Sequence, residues 1–427
     1  MLTNPSPGIA TDNRYRTVGE RQIIDMLLVA ALVYELESGQ QESAVARVRS
    51  ALDDWIELGL GYRLSDSGER LFDPVEVVNR MKWAGHQGLD DFWINHFVAT
   101  SRTFAGESEP RFGAAAQHRE AASAVRFNLT LQRRFDLTTI RPGQKLRLRL
   151  PLPLSQSSQQ VEIEPIVPAD LSARIVRSEG RLDIQFVAPP ESTVEIAASV
   201  QLTTDGRSRD DAPGALAPDR AELYLRGNEG LIRITPRIDA LARFVSGERR
   251  HRLDMATSIF HYIIDEMMCG MVHYDQVNAD APGEWVLDQG WYDCQLGSAL
   301  FVSMCRACGI PARLLSGHML YRLAPGFHYW AEAWIDDQGW TPFDFLTWDL
   351  SKAGRDAAWR NFFVGNIDYR LVTECFPVYF TGPMSIRFPA SWHLLNAPCR
   401  NGMDITFVDL DGSLIYRDRV TCRRIAI

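Results

Sequence analysis

"GWYDCQLGSALFVSMCRACGIPAR", Gly290 to Arg313, contains Cys294, Cys305 and Cys308, three of the chain's seven cysteines. An apolar helical pattern opens at Cys294, with Leu296, Leu300, Phe301 and Met304 on one side. Gly309 then supplies a C-terminal cap, and Pro311 forbids continuation. Cys305 and Cys308 have the spacing of half a zinc site. A structural zinc needs two more soft ligands, usually as a second close pair, and Cys269, Cys375, Cys399 and Cys422 are isolated. A redox pair normally opens a helix, whereas this pair closes one. Both therefore read as core thiols, and no metal is expected. Cys294 differs because it heads the helix. Amides at a helix N-terminus favour a thiolate and are expected to depress the thiol pKa. That makes Cys294 a candidate nucleophile, against the alternative of a buried structural cysteine.

Partners lie downstream. "HYWAEAWIDDQGWTPFD" reads as two strands and a turn, with His328 at its start and Asp344 at its end. A reversal centred on Asp336 places the residues eight before and eight after it opposite one another, and these are His328 and Asp344. Cross-strand neighbours bring a carboxylate within reach of an imidazole. A later turn at Gly339 would require a bulge to keep them together. Thiol, base and orienting carboxylate form the minimal set for covalent acyl transfer.

Together these segments resemble the transglutaminase-like core of the papain-like thiol enzymes. In that family a Cys heads a helix ending in "GIPAR". A His precedes an alternating aromatic and Glu strand, and an Asp follows "GW-x-P-x". The resemblance spans about Leu253 to Leu346 and implies Cys294, His328 and Asp344 as a catalytic triad. An oxyanion needs donors. The backbone N–H of Cys294 is one, and Gln289, Trp285 and the Trp291 indole are the candidates for a second. Glu332 alternates onto the face of His328, where an ion pair is the simpler reading. Trp330, Trp334 and Trp340 are expected to fill the core around the hairpin, and the hairpin's aromatics also suit a wall that keeps water from the sulfur. No cofactor is implied, because thiolate, imidazole and oxyanion donors suffice. The implied partners are an acyl donor (peptide amide, ester or carrier-bound thioester) and an amine acceptor. A cysteine protease or amidase using water, and a non-catalytic binding protein on the same fold, are the rival readings.

The remainder of the chain divides by hydrophobic period. Residues 1–105 read as a mainly helical N-terminal domain suited to packing or to docking a protein partner. Within it, "DPVEVVNRMKWAG" starts with Asp73 as N-cap and Pro74 at the first helical position. "GYRLSDSGERLFD" between two helices reads as a hairpin, which raises a winged-helix alternative. Residues 125–205 alternate with period two as short strands, giving an antiparallel β-sandwich. "FAGESEPRFGAAAQHREAAS" and "TTDGRSRDDAPGALAPD" read as linkers on either side. Residues 220–427 are expected to form the catalytic domain with a β-rich C-terminal tail. "VDLDGS" near Asp409 lacks the third acidic ligand of a calcium loop and reads as a hairpin turn. The fold class is α+β: a papain-like transglutaminase core preceded by an antiparallel β-sandwich and an N-terminal helical domain.

Composition narrows the setting. With 427 residues, 46% hydrophobic and 23% charged, the chain has the balance of a globular protein of several domains. A formal net charge of -9, and an acidic excess in the helical zone, argue against nucleic acid as a partner. The longest apolar run, "MLLVAALVYEL", falls short of the ~20 residues that span a bilayer, so no membrane partner is expected. The polar N-terminus and an odd number of scattered cysteines point to a cytoplasmic protein.

Overall fold

The computed structural model describes residues 17–30, 38–86, 125–138, 140–154, 159–204, 216–278, 280–320, 326–345, 364–365, 367, 369–376, 392–399, 402–409 and 415–425. The first linker, most of the second and the turn at "VDLDGS" fall outside them.

The N-terminal unit packs α1 (Glu20–Ala30), α2 (Ser38–Glu57) and α3 (Pro74–His86) around Ile23, Leu27, Val48, Leu52, Phe72 and Met81. Pro74 is the first residue of α3, and the Val75 N–H donates to the Asp73 carboxylate at 2.9 Å. The hairpin is present as β2 (Arg63–Leu64) and β3 (Arg70–Phe72), and β1 (Val18–Gly19) joins β3 as a third strand. The described part of this zone is thus three helices with a small three-stranded sheet. Arg70 staples it, reaching Glu20 at 2.6 Å and Asp53 at 2.9 Å.

Alternation in the next zone produces a sandwich. In β4 (Val125–Asp136) the residues from Val125 to Phe135 alternate between buried and more exposed positions, as one core-facing side requires. One three-stranded sheet has β5 (Lys145–Pro151), β8 (Arg181–Val187) and β7 (Arg174–Ser178) in that order. The facing sheet pairs β4 with β9 (Thr193–Thr204), and β9 with β6 (Gln159–Ile166), a strand that the sequence pattern did not reveal. The β-rich tail belongs here rather than to the 220–427 unit in which its sequence placed it. β20 (Ile415–Ile425) pairs antiparallel with β4 from Ile415↔Asp136 to Ile425↔Arg126, and β19 (Gly402–Asp409) and β18 (Trp392–Cys399) extend the sheet. Pairing across nearly three hundred residues leaves no local trace in the sequence. Arg133 fastens β4 to β20 through a two-bond pair with Asp418, 2.6 Å for each contact.

The remaining unit surrounds one helix. After α4 (Pro218–Leu223) and the short pair β10 (Asn228–Glu229) and β11 (Ile232–Arg233) come α5 (Pro236–Ser246) and α6 (Arg252–Glu266). β12 (Met268–Cys269) pairs in parallel with β13 (Trp291–Tyr292), with α7 (Pro282–Gln289) between them. Next is α8 (Cys294–Ala307), followed by an antiparallel sheet ordered β16 (Gly339–Phe343), β15 (Gly326–Ile335), β14 (Ala312–Met319) and β17 (Arg370–Phe376). The sequence suggested one apolar stripe on α8, yet every residue from Gln295 to Arg306 is buried. A helix wrapped on all sides must satisfy its polar groups internally. Ser298 and Ser303 accordingly donate to the carbonyls of Cys294 and Ala299 at 2.7 and 2.8 Å, and Arg306 donates to the Ala312 carbonyl at 2.9 Å.

α3 docks onto this unit. The Asn79 side chain takes both backbone groups of Met271, each at 2.8 Å, and His273 meets Asp73 at 2.6 Å. Lys82 donates to the Cys269 carbonyl. α3 thus packs against the chain's own β12 segment.

Candidate active site

Cys294 sits where β13 hands over to α8. Asp293 is the N-cap, and its carboxylate accepts from the N–H groups of Gln295 and Leu296 at 3.1 and 2.8 Å. The N–H of Cys294, first in the helix, is not among those it serves. Tyr274 supports the cap from below, its hydroxyl donating to Asp293 at 2.6 Å and lying 2.8 Å from the Gln295 amide oxygen. The Cys294 sulfur meets the backbone N–H groups of Tyr329 and Gln295. Since the Tyr329 nitrogen belongs to the His328–Tyr329 peptide, the thiol rests against the strand at His328.

The expectation of a depressed thiol pKa is corrected here. Cys294 keeps some exposure, but burial of its sulfur pushes the thiol pKa well up, and the charges of Asp293 and Asp344 add to that. The amides of Tyr329 and Gln295 pull the other way without winning. Burial thus favours the thiol over the thiolate at Cys294, which gives a neighbouring base a role in taking its proton.

His328 and Asp344 come together. His328 Nε2 lies 2.8 Å from Asp344 Oδ2, and both side chains are fully buried. The register differs from the symmetric hairpin expected. Ile335 pairs with Gly339 and Trp334 with Trp340, so the reversal centres on Asp337 rather than Asp336. Gly339 has φ +78°, and the Gln338 N–H closes onto the Ile335 carbonyl at 3.0 Å, a turn that ends in a left-handed glycine. On this register Asp344 faces residue 330, and the contact with His328 runs diagonally along one face. Because Nε2 is committed to Asp344, Nδ1 is the nitrogen left for a proton from sulfur. It is buried and has no hydrogen-bond partner among the described residues.

Residues 239–345 match the transglutaminase-like superfamily, a span that includes Cys294, His328 and Asp344. The chain carries a transglutaminase-like core. The chain also resembles a candidate cysteine protease from Cytophaga hutchinsonii, at 15% identity and TM-score 0.44, over 71% of this chain and 92% of that one. The periplasmic domain of TgpA from Pseudomonas aeruginosa, bound to ethylmercury, is 16% identical with TM-score 0.33, over 57% and 96%. Red sea bream transglutaminase is 8% identical with TM-score 0.27, over 67% and 75%. No curated protein matches.

Other candidates in the transglutaminase-like core fall as follows. Gln289 ends α7, Trp285 lies one turn earlier against the main core, and Trp291 is buried in β13. Glu332 forms a buried ion pair with Arg313 at 2.6 Å, and the Arg313 guanidinium lies 4.2 Å from the Trp340 ring centre. Trp334 and Trp340 pack edge to face at 5.4 Å, and Phe343 and Phe345 join Phe260 and Phe301 in the core. Trp330 is buried in a core cluster with Leu315 and Val372, and its ring also stacks on His328 with centroids 6.2 Å apart. Cys305 is a core thiol, while Cys308 lies 3.2 Å from the Ser246 hydroxyl. Tyr274 and Arg370 were not visible in the sequence as site residues. For Tyr274 a signal existed in the N-cap Asp293, whose second oxygen needs a donor.

Proposed function

We propose that this chain is a cysteine-dependent acyl-transfer enzyme that works through a thioacyl-enzyme at Cys294 and passes the acyl group to an amine. The observation that carries the reading is the buried His328–Asp344 hydrogen bond of 2.8 Å, with Nδ1 left open and the Cys294 sulfur against the adjoining peptide. A buried imidazole held by a carboxylate at one nitrogen is a base at the other.

His328 Nδ1 takes the thiol proton as Cys294 Sγ bonds to the carbonyl carbon of an amide, ester or thioester donor. The resulting oxyanion is met by the Cys294 N–H, which the Asp293 cap leaves unused, with Gln289, Trp285 or Trp291 as the second donor. Collapse breaks the bond to the leaving group, which departs with the proton from His328. An incoming amine then attacks the thioester, gives its proton to His328, and the Cys294 thiol is regenerated. Asp344 remains ionised throughout and steadies the imidazolium. No metal or cofactor is needed for these steps.

The acyl donor and amine acceptor are the proposed partners, in a cytoplasmic setting that the odd number of scattered cysteines supports. No described helix is long and apolar enough to cross a membrane. The test is competition. With a donor that acylates Cys294, rising primary amine should divert product from acid to amide in a saturable way. Hydrolysis indifferent to every amine would make the enzyme a protease or amidase instead.

A further inference from the structure

The carboxylate that orients His328 has a second partner. Arg370, at the start of β17, places Nη2 2.7 Å from Asp344 Oδ2, the same oxygen that His328 contacts at 2.8 Å. Both side chains of the Arg370–Asp344 pair are almost completely buried. The Arg370 guanidinium also lies 5.5 Å from the centre of the Trp330 ring, and Trp330 stacks on the His328 imidazole. Indole and carboxylate therefore fill the space between guanidinium and imidazole. Residue 370 lies outside the 239–345 span that matches the superfamily.

Charge makes this arrangement consequential. A guanidinium carries a permanent positive charge and binds carboxylates well. The charges of Asp293 and Asp344 both oppose deprotonation of Cys294. Arg370 supplies the opposite sign at Asp344. The other titratable groups around the site are Asp293 and Tyr274 at the head of α8, Tyr329 on β15 and Glu374 on β17.

We propose that Arg370 is a positioning residue of the acyl-transfer site: it holds Asp344 against His328 and offsets the carboxylate charge that otherwise opposes thiolate formation at Cys294. The proposal rests on Cys294, His328 and Asp344 being the catalytic set.

Iodoacetamide labelling of Cys294 across a pH series, followed by peptide mapping, reads the effect without any substrate. Removing a positive charge raises the pH at which neighbouring groups release protons. Arg370→Gln should therefore move the labelling midpoint up by about one unit, roughly tenfold slower labelling below the midpoint. Arg370→Lys, which restores the charge, should bring the midpoint back towards that of the unaltered protein. The double variant Arg370→Gln with Asp344→Asn removes both charges and should also return it. A purely structural arginine would lower the amount of folded protein without this pattern. If Arg370→Gln alone does not fold, the double variant should, because the uncompensated buried carboxylate is gone. A folded Arg370→Gln with an unmoved midpoint overturns the proposal, as does a double variant no better than the single one. In both cases the nucleophile reading stands if Cys294 is still the labelled thiol; preferential labelling of another cysteine would sink that reading itself.

Discussion

Asp293 joins helix capping to thiol chemistry, and two substitutions separate these roles. Asp293→Asn keeps an oxygen acceptor for the N–H groups of Gln295 and Leu296, now at 3.1 and 2.8 Å, while discarding the charge. Asn caps as well as Asp, so the loss is confined to charge assistance in these bonds, about 1 kcal/mol. Asp293→Ala forfeits the cap, about 1 kcal/mol, and removes the acceptor from the buried Tyr274 hydroxyl, about 1–3 kcal/mol. Gln295 lies 2.8 Å from the same hydroxyl and offers it another acceptor, which places the total near 2 kcal/mol. The thiol responds differently. After burial, the Asp293 charge is the next largest influence raising the Cys294 pKa, so both variants should label at lower pH. A shift of about one unit corresponds to tenfold faster iodoacetamide labelling at a fixed pH below the midpoint. Thermal melts should rank the unaltered protein above Asn and Asn above Ala, while labelling should rank Asn and Ala both above the unaltered protein. Asn labelling no faster than the unaltered protein would refute the claim that this charge opposes the thiolate.

His328→Ala should abolish turnover, whereas Asp344→Asn should retain a residue of it at reduced stability, since Arg370 then loses its carboxylate; equal turnover in His328→Ala and the unaltered protein would exclude His328 as the base. Burial pushes the His318 pKa down from 6.5 to about 4, so the unfolded chain takes up that proton first. Its contribution is whole above pH 6.5 and lost as pH falls towards 4, a swing of about 3 kcal/mol that His318→Phe should remove from a stability-versus-pH series. At Gly317 an added Cβ would stand 1.8 Å from the Leu371 carbonyl oxygen, where β14 and β17 approach at a bulge. Gly317→Ala should cost about 3 kcal/mol in thermal or denaturant unfolding, and should shift Cys294 labelling as Arg370→Gln does, because β17 carries Arg370. A melting curve like that of the unaltered protein would contradict that reading of the bulge.

What the sequence disclosed follows from how locally each feature is encoded. The head of α8 is written in consecutive residues: an Asp cap, a Cys, an apolar run and Gly309 with φ +75° at its end. The hairpin was legible as two strands, but its register depends on which residue turns left-handed, and Gly339 moved the centre by one position. The diagonal reach of His328 to Asp344 preserved their contact in spite of that shift. By contrast, "YRLVTECF" gives no sign that its arginine is buried, because an Arg at the start of a strand ordinarily points to solvent. The membership of β20 in the sandwich was equally hidden, since its partner β4 lies nearly three hundred residues earlier in the chain. Burial of the Cys294 sulfur, which outweighs the helix amides, comes from tertiary packing that no motif encodes.

The most direct test of the central claim is the mass of the intact protein after incubation with candidate amide, ester and thioester donors. A covalent adduct of the acyl mass should form on the unaltered protein, map to the peptide containing Cys294, and disappear when a primary amine is added. It should be absent from Cys294→Ala. An adduct that persists in Cys294→Ala, or donor turnover that continues in that variant, would contradict a thioacyl-enzyme at Cys294.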